Sequence, residues 1–130
     1  MRRRILRERK GQATVELALV LPILLLLLVG VAQVSLLLSA YLTVEASAQE
    51  GADLAAIGGS DTAIVARVDQ VASDLNAANL SVSVSPPEPR MPGTDVTVTV
   101  VYVEPITIPL VSTFLGPSIT MQSSLSMQIQ

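Results

Sequence analysis

The 130-residue chain contains no cysteine, no histidine and no tryptophan. Without these thiols and imidazoles it cannot form a disulfide, the usual zinc site or the usual nucleophile–base pair. Its aromatic residues are Tyr41, Tyr102 and Phe114, which leaves few large side chains for a core. These absences argue against an enzyme, and we expect no cofactor, no metal site and no small-molecule substrate.

Charge is divided between two parts of the chain. Six of the eight basic residues lie in the first ten positions, where only Glu8 opposes them, so residues 1–11 carry a net charge of +5. Residues 12–130 carry two basic and ten acidic side chains, a net charge of −8. An acidic body repels phosphate backbones, so we expect no nucleic-acid partner.

A long apolar segment follows the basic end. Residues 17–32, LALVLPILLLLLVGVA, have no charged or hydrogen-bonding side chain, and no charge occurs between Glu16 and Glu45. At about 1.5 Å per residue these 28 uncharged residues reach roughly 42 Å, more than the roughly 30 Å hydrocarbon core of a bilayer. The sequence predicts a single-pass membrane helix that emerges from the bilayer, with the basic end cytoplasmic and the acidic remainder outside.

Three interpretations of this N-terminus assign it no role beyond targeting or anchoring. A cleaved secretory signal would use Ala46-Ser47-Ala48 before Gln49, but the apolar segments of such signals run only about 7 to 15 residues. The arginines at positions 2–4 fit a twin-arginine signal loosely. An uncleaved signal anchor that holds an unrelated extracytoplasmic binding protein explains both the charges and the span.

The junction between the basic and apolar segments reads Gly11-Gln12-Ala13-Thr14-Val15-Glu16. A charge inside a bilayer costs about 2.5–3.5 kcal/mol and less near the interface, so an acid at the start of an apolar run invites an explanation. One is structural: Glu16 lies in the first helical turn, with Thr14 as the N-cap. The other is that Glu16 is functional.

The basic leader, Gly11, the acid five residues later and the apolar run resemble the cleavage site of type IV prepilins, and GQATVELALVLPILLLLLVG is similar to the N-terminus of TadE-like proteins. These are pseudopilins of the bacterial tight-adherence (Flp/Tad) pilus system. The resemblance implies that a prepilin peptidase in the inner membrane cuts between Gly11 and Gln12. It also implies that Glu16 acts in processing and assembly, and that the partners are other pilin-like subunits and the pilus assembly platform.

Two features indicate a minor subunit rather than the major pilin. Leu17 departs from the aromatic residue that the family commonly carries after the acid, tyrosine in major Flp pilins and phenylalanine in many TadE-like proteins. Major Flp pilins are also much shorter than the 119 residues that cleavage would leave here. Within the apolar run, Pro22 offers no N–H to the carbonyl of Ala18, so we expect a local helix kink.

The rest of the chain predicts an α+β fold with the lollipop shape of pilin-like subunits. We expect a leader at residues 1–11, a membrane and emergent helix at 12–57, and a small extracytoplasmic domain at 58–130. Gly58-Gly59 should end the first helix, and a second helix should run from Ser60 or Asp61 to about Asn79. Its stripe of Ile64, Val68, Val71 and Leu75 has the spacing of a core-facing surface.

Three alternating segments predict an antiparallel sheet: residues 80–85, 95–103 and 118–130. The second helix or the emergent end of the first should cover its apolar face. A proline-rich loop separates the first two strands. In the connection from Pro109 to Pro117 we expect Leu110, Val111, Phe114 and Leu115 to pack over an apolar surface.

Two features of the emergent helix have more than one explanation. Its small residues favour either close helix packing or simply helix formation: Ala32, Ser35, Ser39, Ala46, Ala48, Ala52, Ala55 and Ala56. Its acids Glu45, Glu50 and Asp53 form either a solvated face or a site for a cation or a basic partner.

Overall fold

A computed structural model describes residues 2–130, with side chains for residues 11–130. The elements, in chain order, are α1 (Arg2–Ala56), α2 (Asp61–Val71), a 3₁₀ turn (Ala77–Asn79), β1 (Leu80–Ser85), β2 (Asp95–Pro105), α3 (Pro109–Leu115) and β3 (Ser118–Gln128). The expected α+β class is confirmed, with its long apolar helix, second helix and three-stranded antiparallel sheet. The side chains of the basic residues at positions 2–10 lie outside the described residues.

The chain forms two compact units, Met1–Leu36 and Leu37–Gln130. The first contains the apolar part of α1. The second contains the last 20 residues of α1 together with α2, the sheet and α3. The emergent end of α1 is therefore part of the same unit as the sheet.

The sheet has the order β1-β2-β3, with both pairs antiparallel. On one face, valines of β2 and their partners on the outer strands point into the core, as the period-two pattern predicts. The opposite face is mostly serine, threonine and glutamine, and Thr97 and Thr99 bond across the strands to Ser126 at 3.1 Å and Ser124 at 2.7 Å.

The sequence left open whether the second helix or the emergent end of the first covers the apolar face of the sheet. In the structure both helices cover it. The core contains Ala40, Val44, Ala48, Ala52 and Ala55 from α1, Ile64 and Val68 from α2, and Val96, Val98, Val100, Tyr102, Met121 and Ile129 from the sheet. Because the side chains of α1 are small, its backbone lies close to its neighbours. Part of the small-residue surface is thus used for packing within the chain, whereas Ala32, Ser35, Ser39 and Ala46 are exposed.

Glycine ends α1 where it was expected to. The Gly58 N–H donates to the Ala55 carbonyl and the Gly59 N–H to the Leu54 carbonyl, both at 3.0 Å, while Gly58 has a φ of +85°. This is the Schellman arrangement, which satisfies the last carbonyls of a helix with a left-handed glycine. The Ser60 hydroxyl then accepts from the Ala63 N–H at 3.2 Å and caps α2.

α2 ends at Val71, so the expectation that it reaches Asn79 was wrong. The N–H of Leu75 bonds to the Ala72 carbonyl in a tight turn, and the Asn76 side chain accepts from the Ala78 N–H at 3.1 Å to begin the 3₁₀ turn. Ser73, Asp74 and Asn76 favour such local bonds over continued helix. The apolar spacing persisted beyond the point where these polar residues break the helix.

The connection between β2 and β3 also differs from expectation. Pro109 at the first helical position and Gly116 after the last turn bound the short helix α3. Leu110, Phe114 and Leu115 are 48%, 82% and 49% exposed, so the expectation that they pack over an apolar surface was wrong. Their apolar character indicated burial, but helix formation turns these side chains away from the sheet.

Candidate processing and assembly site

The Gly11–Gln12 peptide bond lies inside a continuous helix. Because α1 begins at Arg2, Thr14 does not occupy an N-cap position and Glu16 does not lie in the first turn. In the unprocessed chain, helix capping therefore does not account for an acid at this position.

Gly11 is exposed, and a methyl group added to it would meet nothing within 4 Å. Packing within the described residues thus does not require glycine here. A glycine inside a helix is about 1 kcal/mol less favourable than alanine, which makes this turn easier to unwind. Gly11 is therefore exposed to an approaching protein and lies in a turn of helix that unwinds more easily than its neighbours.

Gln12 and Glu16 lie one turn apart on the same face of α1. The Gln12 Nε2 donates to the Glu16 Oε1 at 3.3 Å, the i to i+4 pairing that a helix permits. Both side chains are exposed. The carboxylate is therefore presented on the outside of the helix, immediately before the apolar segment.

The apolar segment that follows is covered by no other part of its unit. Its leucines, isoleucine and valines between positions 17 and 31 are 39–69% exposed. Among the described residues, one helix, Gly11–Ala56, is long and apolar enough to cross a membrane, and none of its most apolar window is buried. Pro22 lies within α1, which continues on both sides of it.

An ion pair joins α2 to the emergent part of α1. The Nε and Nη2 atoms of Arg67 donate to the Glu50 Oε2 at 3.1 and 2.7 Å. Of the three acids whose role the sequence left open, Glu50 therefore pairs within its own chain, while Glu45 and Asp53 are exposed.

A second ion pair joins the proline-rich loop between β1 and β2 to Asp61 at the start of α2. Arg90, whose side chain is only 5% exposed, pairs with Asp61, lies 3.9 Å from Glu88, and donates from Nε to the Pro86 carbonyl at 2.7 Å. It fastens the proline-rich loop to the start of α2. Neither pair was predicted from the sequence. The signal for both was that Arg67 and Arg90 are the only basic residues after position 10 of a largely acidic chain.

Tyr102 is the buried titratable group of the sheet. Its side chain is 3% exposed, and this burial raises the pKa of the phenol above its ordinary value of 10.0. The neighbouring Glu104 carboxylate acts in the same direction, against a hydrogen bond from the backbone of Asn76. Burial thus favours the neutral phenol, which suits a side chain that packs in the core.

Comparison with known protein families gives a match at the N-terminal end. Residues 11–53 match the family model of TadE-like proteins. No curated protein and no solved structure matches the chain. The match begins at Gly11, contains Glu16 and Pro22, and ends on the part of α1 that packs against the sheet. The resemblance found in the sequence is therefore confirmed over residues 11–53.

Proposed function

We propose that the chain is a minor pilin-like subunit, a pseudopilin, that prepilin peptidase processes and that takes part in assembling a Flp/Tad-type pilus. Its role is structural rather than enzymatic. The observation that carries the proposal is the TadE-like match, because it starts at the glycine that would precede the cleaved bond.

The geometry at Gly11 supports processing. A protease must reach both sides of the bond that it hydrolyses, and Gly11 and Gln12 are exposed with open space around Gly11. The low helix propensity of glycine reduces the free energy needed to open this turn into a protease cleft. Hydrolysis releases the basic leader and leaves an α-amino group on Gln12.

The new amino group offers a partner for Glu16. Within one chain, four residues of helix separate Gln12 from Glu16 by about 6 Å along the axis, so the amino group and the carboxylate lie at different heights. A neighbouring subunit displaced by that height brings its amino group level with Glu16. Away from water such a pair is strengthened and an unpaired charge is costly, so pairing selects one axial register between subunits.

Charge and hydropathy support the orientation. The +5 leader precedes the apolar segment and residues 12–130 carry −8, so the positive-inside rule places the leader in the cytoplasm. We propose that the protein resides in the inner membrane with residues 58–130 outside. Its partners are prepilin peptidase, other pilin-like subunits and the pilus assembly platform.

N-terminal sequencing and intact mass of the protein, from cells with and without a matched prepilin peptidase, test the proposal. A start at Gln12 that depends on the peptidase supports it. A start at Met1 in both strains overturns it in favour of a signal-anchored binding protein, and a start at Gln49 indicates a secreted domain. Co-purification with other small pilin-like subunits tests the assembly role separately.

A further inference from the structure

We propose that α3 inserts its exposed apolar side chains into the interface of the membrane that α1 spans, so that the second unit contacts lipid as well as being tethered to it. This rests on the proposed membrane location. The occupant we propose for this surface, made of Leu110, Phe114 and Leu115, is therefore a lipid bilayer.

Three large apolar side chains are exposed within six consecutive residues of α3, whereas Ile57 and Met91 are exposed singly. Phe114 is the only phenylalanine in the chain, and 82% of its surface is exposed beside two half-exposed leucines. Large apolar side chains grouped on one surface mark contact with another apolar phase. The seven residues of α3 offer too little area for a stable protein interface, which buries more than about 1,000 Å². They are sufficient for shallow insertion into lipid.

Two contacts establish at which end of the unit α3 lies. The Gln130 N–H donates to the Ala56 carbonyl at 2.9 Å, so the end of β3 meets the end of α1. Five residues earlier on α1, Gly51 faces Val98, which lies further along the sheet. The sheet therefore runs back along the helix from Ala56, and α3, which precedes β3, lies at the opposite end.

That opposite end is where the chain enters the unit. The 20 residues from Leu37 to Ala56 span about 30 Å as helix, and the 11 residues of β3 span about 36 Å as a strand. Counting from Leu17, 20 residues of helix cross a hydrocarbon core of about 30 Å and reach Leu36. α3 therefore lies at the end of the second unit where the chain leaves the proposed span.

Charge and aromatic placement agree with this location. Residues 105–130 contain no charged side chain, although the body of the protein is acidic. Nothing on this segment opposes entry into a membrane interface. On α1, Tyr41 is 46% exposed four residues beyond Leu37, and tyrosine is enriched at the depth of lipid headgroups.

The absence of tryptophan allows a direct test, because a single introduced tryptophan is the only one in the protein. We would reconstitute the full-length Phe114→Trp variant in phosphatidylcholine vesicles whose acyl chains are brominated near the headgroup, and measure quenching of its fluorescence. Leu24→Trp reports on the span and is measured in matched vesicles whose acyl chains are brominated near their ends, because position 24 lies near the middle of residues 17–36. Met91→Trp is the matched control, because Met91 is 76% exposed and lies near Gly93, which bonds to Ile129 at the far end of the sheet.

We expect quenching at position 114 to exceed that at position 91 by roughly threefold or more. Equal quenching at 114 and 91, with strong quenching at 24, overturns the proposal and leaves the membrane anchor intact. No quenching at 24 instead overturns the membrane location itself. Shielding of position 114 from both lipid bromine and aqueous acrylamide, increasing with protein-to-lipid ratio, shows that a second copy covers α3 and also overturns the proposal.

Discussion

A methyl group placed on Gly51 would lie 2.8 Å from the Cγ2 atom of Val68 and 3.2 Å from Cγ1 of Val98. These three residues bring α1, α2 and β2 to one point in the core. Val68 and Val98 are fully buried, and β-branched side chains have few alternative rotamers. The approach of α1 to its neighbours therefore depends on the absence of a side chain at position 51.

Replacing Gly51 with alanine should destabilise the second unit, although alanine favours helix by about 1 kcal/mol. Overpacking a core costs about 1–3 kcal/mol, so we expect a net loss of about 1 kcal/mol. Amide hydrogen exchange of β2 in the full-length protein measures this change.

The control for this variant uses the Val68→Ala background. There the colliding methyl group is absent, so Gly51→Ala should be neutral or stabilising. If Gly51→Ala destabilises the protein equally in both backgrounds, the contact with Val68 is not the cause.

The two ion pairs of the second unit should differ in their effect on stability. Arg90→Met removes a guanidinium that is almost fully buried. Asp61 and Glu88 then lose their cationic partner. Because those acids are 41% and 46% exposed, water compensates in part, and we expect a loss of about 1–2 kcal/mol. Thermal unfolding in detergent measures it.

Arg67→Met is the matched control. Arg67 and Glu50 are 43% and 45% exposed, so their pair should contribute about 0–1 kcal/mol. An equal loss in the two variants would contradict the assignment of Arg90 as the residue that fastens the proline-rich loop.

Stability should fall in alkaline solution because of Tyr102. Its pKa is raised in the folded state, so the phenol of the unfolded chain ionises first as the pH rises. The contribution of neutral Tyr102 is complete below the ordinary pKa of 10.0 and is lost as the pH rises through the higher folded pKa. In a Tyr41→Phe background, ultraviolet titration of tyrosinate should give a midpoint above 10.0 for the folded protein.

Tyr102→Phe checks the origin of the effect, because this variant should lose less stability than the parent as the pH rises past 10. A titration midpoint at or below the ordinary value would show that burial does not control the phenol.

Glu16→Gln should leave membrane insertion intact and reduce incorporation into pili. The change removes one charge-assisted pair, worth about 1.5–3 kcal/mol, so incorporation should fall by about tenfold or more. Quantitative immunoblotting of sheared pili and membranes measures the two pools.

Glu45→Gln is the control for a carboxylate on the same helix beyond the apolar segment, and it should assemble normally. Normal assembly of Glu16→Gln would remove the proposed pairing with the new N-terminus. Equal defects in the two variants would indicate a general requirement for negative charge on α1.

Much of the fold follows from local patterns. The apolar run, the glycine pair after Ile57 and the alternation in the three strands predict the elements and their order. The end of α2 was misplaced because the apolar spacing reaches Leu75, whereas the chain turns after Val71 and the Asn76 side chain caps the following 3₁₀ turn. The orientation of α3 was wrong because an apolar residue prefers burial without specifying which surface buries it.

The same contrast between local and long-range information applies to the residues of the candidate site and to the ion pairs. Gly11, Gln12, Glu16 and Pro22 could be proposed from the sequence because a charge pattern and a spacing mark them within a short segment. The pairs Arg67–Glu50 and Arg90–Asp61 could not, since they join positions 17 and 29 residues apart, and only folding brings them together.

The sequence by itself determined that an uncharged helix of membrane-spanning length joins a basic N-terminal segment to an acidic remainder, because hydropathy and charge act locally along the chain. Only the tertiary structure decided that the alanines of the emergent helix pack against the sheet and that Phe114 is exposed. It also decided that Val68 and Val98 pack into the space left by the missing side chain of Gly51. Those outcomes depend on which surfaces meet, and side chains distant in sequence settle that through shape and burial.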